Sequence, residues 1–392
     1  MNKLMRIIAF IAVTAVLAGT VCACGTEEKT TQAVQDQTTE PADNTSETKE
    51  SIPEKTTDEK QPDDADPDDY SEGLGETFTG ETNAPKEGSD MSSEEDEEPV
   101  TPSKDVDLIF FMGQSNMSGA AGDAKLAPYV SEEAGMEFRS VSDPTTLYPI
   151  TEPFGINENN PSGLHEYPGA KKGSLVSAFV NEYYKETGRR VIAVSVSMGA
   201  TDTNAWMTQG VIDDVKKRFD TSVSYLKNNG YKIWNIYAVW LHGESDAIDG
   251  TDPEVYRTQL DNIMRPLFIG GLQKVFIITP GRTIDYRDIF LKIIDMQKKI
   301  CYESGYYALA TTVLTKVSTE YMSDQYHYNQ HVLNMVGIEA AKAAAFYQKH
   351  GVEKIVYDYR EGKYVVPDGV DEDSQTKDKP IPLGDININE VY

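Results

Sequence analysis

Short apolar runs alternate with helical stretches along most of the chain. Runs rich in β-branched and aromatic residues fall at 106–112, 190–197, 234–241, 274–279 and 307–312. They are apolar at nearly every position rather than every second one, the pattern of parallel strands covered on both faces. Between them, at 175–187, 211–228, 255–265, 286–303 and 331–350, apolar residues recur at helical spacing; Val176, Phe179, Val180, Tyr183 and Tyr184 show it well. Strands alternating with helices predict an α/β fold: a doubly wound, three-layer α/β/α sandwich of about five parallel strands over 105–366. Residues 118–172 carry little periodicity and many Pro, Gly and Asn. A loop that long in a compact domain predicts a lid or a binding surface. Phe138, Tyr148, Phe154, His165 and Tyr167 offer a wall for stacking a sugar, though each suits local packing equally well.

Ahead of this block the pattern changes. Lys3 and Arg6 precede an apolar run at 7–18, followed by small residues, Cys22 and Cys24. This predicts an export signal, too short to span a bilayer after processing. Residues 25–104 hold 25 Asp and Glu against 6 Lys and Arg and almost no large apolar side chains. Such a segment cannot bury enough surface to offset its ordering entropy. It predicts a disordered acidic tether over 24–104, spanning roughly 50 Å as a flexible coil. The whole chain has 392 residues and a net charge of −28, of which only −6 belongs to 105–366 and −5 to an acidic tail at 367–392. With no basic run, nucleic acid is not an expected partner. No feature of the sequence sets the oligomeric state.

Val21-Cys22-Ala23-Cys24, followed by Gly25, resembles the lipobox of bacterial lipoproteins. The resemblance implies a signal peptide at 1–23, cleavage before Cys24 and lipidation of its thiol. The domain would then be held at the cell surface, outside the cytoplasm, by acyl chains in the membrane. Cys301 is the single cysteine left beyond that site, so an intramolecular disulfide and a cysteine-based zinc site are both excluded.

In open α/β sheets ligands bind beyond the carboxyl ends of the strands, so the residues that follow each strand carry the chemistry. After the first comes Gly113-Gln114-Ser115-Asn116-Met117, after the second Met198-Gly199-Ala200-Thr201, and after the third His242-Gly243-Glu244-Ser245-Asp246. Asp324-Gln325-Tyr326-His327 follows the fifth. A serine hydroxyl needs a base to take its proton, and a base histidine needs a partner to fix its tautomer. Asp324 and His327, three apart on one loop, can meet through Nδ1 and leave Nε2 facing Ser115. The backbone N–H groups of Ser115 and Gly199 are natural oxyanion donors. Other roles compete. Ser115 suits a helix N-cap. Ser245 sits in a loose nucleophile elbow, which Gly250 and Pro253 interrupt. His327 and His331 are four apart, but no third metal ligand stands nearby. Glu244 suits either a bond to the backbone behind the site or the orientation of a catalytic group, and Trp206 and Trp240 suit packing better than a sugar platform.

Together Gly113-Gln114-Ser115-Asn116-Met117, Gly199 with Thr201 and Trp206, Trp240 with Gly243-Glu244-Ser245, and Asp324-x-x-His327 with Gly337 resemble the SGNH hydrolases, in the sialate O-acetylesterase-like branch, carbohydrate esterase family six. The resemblance implies a flavodoxin-like sandwich, a Ser-His-Asp acyl-enzyme mechanism with no metal or cofactor, and removal of O-acetyl groups from carbohydrate such as sialic acid or a plant or host polysaccharide. It makes Ser115 the nucleophile, His327 the base and Asp324 its orienter, with Ser115 and Gly199 as oxyanion donors and Gln114 and Glu244 in support. The family usually has Gln where His242 stands, which implies an imidazole N–H as third oxyanion donor and a pH-sensitive site. The usual Gly-Gly-Thr is Gly199-Ala200-Thr201 here, preceded by Met198. The competing expectation is an inactive, glycan-binding surface lipoprotein of the same fold.

Overall fold

The computed structural model describes residues 103–392; the expected signal peptide, Cys24 and nearly all of the acidic tether lie outside the described residues. The chain opens with β1 (Asp105–Gly113) and a short α1 (Ser115–Ser118). A hairpin of β2 (Gly135–Arg139) and β3 (Asp143–Pro149) follows, then α2 (Val176–Thr187), β4 (Arg190–Ser197), a short α3 (Thr203–Trp206) and α4 (Gln209–Asn228). Next come β5 (Lys232–Leu241), α5 (Glu244–Asp249), α6 (Pro253–Gly270), β6 (Lys274–Ile278), α7 (Leu291–Glu303) and β7 (Tyr307–Thr311). The chain ends with α8 (Gln330–His350), the paired β8 (Val356–Asp358) and β9 (Lys363–Val365), and α9 (Ile388–Val391).

Seven strands make one sheet in the order β3-β2-β4-β1-β5-β6-β7. All pairs are parallel except β2–β3 at one edge. β1 lies at the centre with every residue after Asp105 buried, because successive side chains point to opposite faces and both faces are covered. Phe110 stacks on Phe219 of α4 at 5.1 Å, and its neighbour Phe111 meets Phe179 of α2 edge-on at 5.2 Å. These two helices therefore cover opposite faces, with α8 packed beside α2 and α6 beside α4. The one charge inside β1, Asp107, is satisfied by the Tyr183 hydroxyl at 2.7 Å and the Asn235 amide at 2.8 Å.

The five expected strands are β1, β4, β5, β6 and β7; the sheet extends them by β2 and β3, which lie in the stretch expected to be loop. Their signal is broken by Glu137, a buried carboxylate in the middle of β2 held by Arg139 Nε at 2.8 Å. Burial pushes its pKa up, against the pull of that guanidinium. β3 carries Pro144 and Pro149, which an edge strand tolerates and a central one does not. The helix expected from 286 begins at Leu291, because Thr283 Oγ accepts the Tyr286 N–H at 2.8 Å and donates to its carbonyl at 3.0 Å in a closed turn. The segment after 366 packs onto the body. Ile388 is fully buried, and the Asn334 amide donates to the Tyr392 carbonyl at 2.6 Å. Among the described residues no helix is long and apolar enough to cross a membrane.

The stretch between β3 and α2 is tied to the sheet by one buried guanidinium. Arg218 of α4 donates to the Ser195 carbonyl at 2.9 Å and the Glu158 carbonyl at 2.6 Å, and pairs with Asp214 at 3.0 Å. Removing one partner of a buried pair leaves the other charge uncompensated, at about 3–5 kcal/mol. Arg218→Ala is therefore expected to lower unfolding stability by about that amount, read as a fall in the guanidinium chloride midpoint.

Candidate active site

Three strand ends are locked together where the site begins. β1 ends at Gly113 with φ +145°, and a Cβ there would lie 2.0 Å from the Leu241 carbonyl oxygen. Only glycine allows that approach. The Gln114 N–H then donates to that carbonyl of β5 at 3.1 Å, and the Met198 N–H just past β4 donates to the Gly113 carbonyl at 2.9 Å. Ser115, Gly199 and Glu244 all follow directly from this junction. Ser115 opens α1, so its N–H has no partner within the helix. Gln114 takes the N-cap position without a side-chain bond, which leaves the Ser115 hydroxyl free for another partner.

That partner is His327. Its Nε2 lies 2.8 Å from Ser115 Oγ, and its Nδ1 lies 2.8 and 2.9 Å from the two carboxylate oxygens of Asp324. The same carboxylate accepts the backbone N–H of Tyr326 at 2.9 Å and of His327 at 3.0 Å. Partial burial pushes the Asp324 carboxyl upward, but these backbone bonds and the imidazole outweigh it and hold its pKa below the ordinary value. Asp324 therefore stays ionised, as an orienting carboxylate must. The structure brings these three residues into one chain of hydrogen bonds and leaves Ser245, the rival serine, outside it.

Asn116 joins the two halves of the arrangement. Its amide donates to Glu244 at 2.9 Å and to the Tyr326 carbonyl at 3.1 Å, on the loop that carries His327. Glu244 is buried behind it, and burial raises its pKa despite the Asn116 bond. Gln114 is also buried and accepts the Ser245 N–H at 3.4 Å. Glu244 thus holds the Asn116 side chain, and Gln114 holds the backbone of Ser245. The bridging role of Asn116 was not legible from the motif, because both of its partners come from distant segments.

Two further features lie on the β4 side. Ala200 adopts φ +54°, a region costly to any side chain but glycine. Its neighbour Gly199 donates its N–H to Glu166 at 3.0 Å, and the same carboxylate oxygen accepts from the Ser118 hydroxyl. Glu166 lies in the stretch expected to be a lid, yet nothing in the sequence singles it out. Tyr167 beside it is 85 % exposed, whereas Phe138 and Phe154 are core residues rather than a sugar wall.

His242 is a core residue. Its ring has no exposed surface and sits 4.7 Å from Trp240, 5.8 Å from Trp206 and 6.4 Å from Tyr256, with Nδ1 3.6 Å from Asp246. Neither ring nitrogen has a hydrogen-bond partner among the described residues. The ring is enclosed by the core and makes no hydrogen bond toward Ser115 among the described residues. Trp206 and Trp240 are fully buried with it and pack edge-to-face at 5.0 Å, which makes them core residues and not sugar platforms.

Residues 105–345 match the family model described as carbohydrate esterase, sialic acid-specific acetylesterase. The chain belongs to this family. Membership makes it a carbohydrate O-acetylesterase. The chain is also similar to solved structures. A protein from Arabidopsis thaliana is 18% identical with a TM-score of 0.45, over 61% of this chain and 97% of that one. A carbohydrate acetylesterase from Xanthomonas citri is 14% identical with a TM-score of 0.39, over 61% of this chain and 57% of that one. A variant of an acetyl-xylooligosaccharide esterase from Geobacillus is 13% identical with a TM-score of 0.33, over 64% of this chain and 97% of that one. Comparison with curated proteins gives no significant match.

The buried imidazole sets a pH dependence for this carbohydrate esterase. Burial, opposed by the Asp202 charge, pushes His242 from its ordinary value of 6.5 down to about 3. Between those values the unfolded chain binds a proton that the folded chain refuses, so this contribution to stability is complete above pH 6.5 and is lost as the pH falls toward 3. The slope reaches about 1.4 kcal/mol per pH unit for one such group. His242→Gln is expected to remove it. In urea titrations the stability gap between wild type and variant should shift against the wild type as pH drops from 7 to 4; a constant gap would contradict the assignment.

Proposed function

We propose that Ser115, His327 and Asp324 carry out the deacetylation through an acetyl-enzyme. His327 Nε2 takes the proton from Ser115 Oγ as the oxygen attacks the acetyl carbonyl. The backbone N–H of Ser115 and that of Gly199 receive the developing oxyanion. On collapse the bond from acetyl carbon to sugar oxygen breaks, and the imidazolium returns its proton to the leaving hydroxyl. Water then attacks the acetyl-serine, His327 takes one of its protons, and acetate leaves as Ser115 regains its hydrogen. Asp324 remains ionised throughout and fixes the tautomer. The observation that carries this reading is the unbroken chain from Ser115 Oγ through His327 to Asp324, each link at 2.8 Å. The substrate is an O-acetylated carbohydrate, sialic acid or a plant or host polysaccharide.

We propose also that the enzyme is a surface lipoprotein, lipidated at Cys24 and held off the membrane by the acidic segment at 24–104. Support for this comes from the Val21-Cys22-Ala23-Cys24 segment and from the composition of the stretch after it.

A fluorophosphonate probe, which modifies activated serines, is expected to label Ser115 in wild type and not in His327→Ala, with the adduct found by peptide mass mapping. Asp324→Asn should keep the fold, checked by circular dichroism, yet release acetate from acetylated carbohydrate about three orders of magnitude or more slowly. An adduct on Ser245, or an unchanged rate in the Asp324 variant, would refute the assignment. For the anchor, a labelled fatty acid fed to cells should enter the wild-type chain and not Cys24→Ala.

A further inference from the structure

The Gly199 N–H, proposed above as an oxyanion donor, is already occupied. Glu166 Oε1 accepts it at 3.0 Å and also takes the Ser118 hydroxyl of α1. A Cβ placed on Gly199 would lie 3.0 Å from Glu166 Oε2 and 3.4 Å from Ser115 Cβ, so the carboxylate and the serine crowd the same point. The carbonyl oxygen of an acyl group whose carbon is bonded to Ser115 Oγ would need the donor that Glu166 holds. Bonds between an ionised carboxylate and a backbone N–H are among the stronger hydrogen bonds in proteins, so the acyl oxygen does not displace it freely.

The carboxylate is delivered there by a built loop. Asn159 Oδ1 accepts the Glu166 N–H at 3.0 Å, and Asn159 Nδ2 donates to the Glu166 carbonyl at 3.1 Å, so one side chain grips both backbone groups of the residue. On one side of Glu166, Leu164 is buried and its N–H donates to Asp214 at 2.9 Å. On the other, the buried Lys171 donates to Ser195 at 3.2 Å and Ser197 at 2.9 Å, at the end of β4.

Building on the assignment of Ser115 as nucleophile, we propose that Glu166 is a specificity-determining gate on the oxyanion donor. To react, an ester must lift the Glu166 carboxylate off Gly199. A carbohydrate ester brings hydroxyl groups beside its acetyl that can donate to the displaced carboxylate and so replace the bonds it gives up. A simple alkyl or aryl ester brings none. The gate therefore favours acetyl groups on polyhydroxy alcohols and leaves other esters to compete with Glu166 unaided.

The test uses the full chain as wild type, Glu166→Ala, Glu166→Gln and Asn159→Ala. Two quantities are read: the rate at which a small alkyl fluorophosphonate modifies Ser115, and kcat/KM for an aryl acetate against an acetylated xylose. In the probe reaction a bond forms from Ser115 Oγ to phosphorus, fluoride leaves with the P–F electron pair, and His327 takes the serine proton. The phosphoryl oxygen needs the same N–H, but the probe has no hydroxyl to offer Glu166. Glu166→Ala is expected to speed both labelling and aryl acetate turnover by about tenfold to a hundredfold, the range for loss of a hydrogen bond to a charged group. The gain on acetylated xylose should be smaller, so the preference for sugar falls. Glu166→Gln, neutral but still an acceptor, and Asn159→Ala, which frees the loop and keeps the carboxylate, should fall between. Equal labelling rates in wild type and Glu166→Ala, a slower variant, or an unchanged sugar-to-aryl ratio would overturn the gate. If neither protein is labelled at Ser115, the nucleophile assignment fails and the gate falls with it, a result distinct from equal labelling.

Discussion

The site depends on the backbone junction at Gly113. β1 cannot end as it does unless the Leu241 carbonyl comes to within contact of a position with no side chain, and the two hydrogen bonds there tie it to β5 and to the turn after β4. Side chains positioned on such a junction inherit its rigidity, because three parallel strands would have to shift together to move it. Any residue with a Cβ at 113 pushes β1 and β5 apart before any reacting group is touched. The serine, the glycine N–H and the buried Glu244 are then consequences of where three strands stop.

Much of this was legible in the sequence for a plain reason. Strands buried on both faces must be apolar at nearly every position, and β1, β4, β5, β6 and β7 are. The Asp324 and His327 pair was legible because their contact is local, closed within one loop. What was not legible has non-local causes. β2 hides a buried Glu137 whose charge is balanced only once Arg139 folds back on it. Glu166 forms its bond with a backbone group 33 residues away, and a lone glutamate in an irregular stretch carries no pattern. The surroundings of His242 were not legible because its place in a motif says which residue type is usual there, while its burial between two tryptophans is set by how β5 packs.

The departures from the family pattern fall on either side of Ser115. Ala200 holds a backbone angle that suits glycine, next to the N–H that Glu166 occupies. His242 fills a place behind the site with a ring kept neutral by burial. Neither disturbs the hydrogen bonds that join Ser115, His327 and Asp324. The chain keeps these three side chains in hydrogen-bond contact and varies the parts that surround them.

Asp324 binds the backbone of its own loop as well as the ring of His327. The carboxylate and the imidazole are therefore joined in one closed unit of four residues. Any shift of this loop carries acid and base together and preserves the tautomer. Motion of the loop relative to Ser115 would change the 2.8 Å gap to that serine and the Asn116 bond to the Tyr326 carbonyl together, so the serine contact and its bridge move as one.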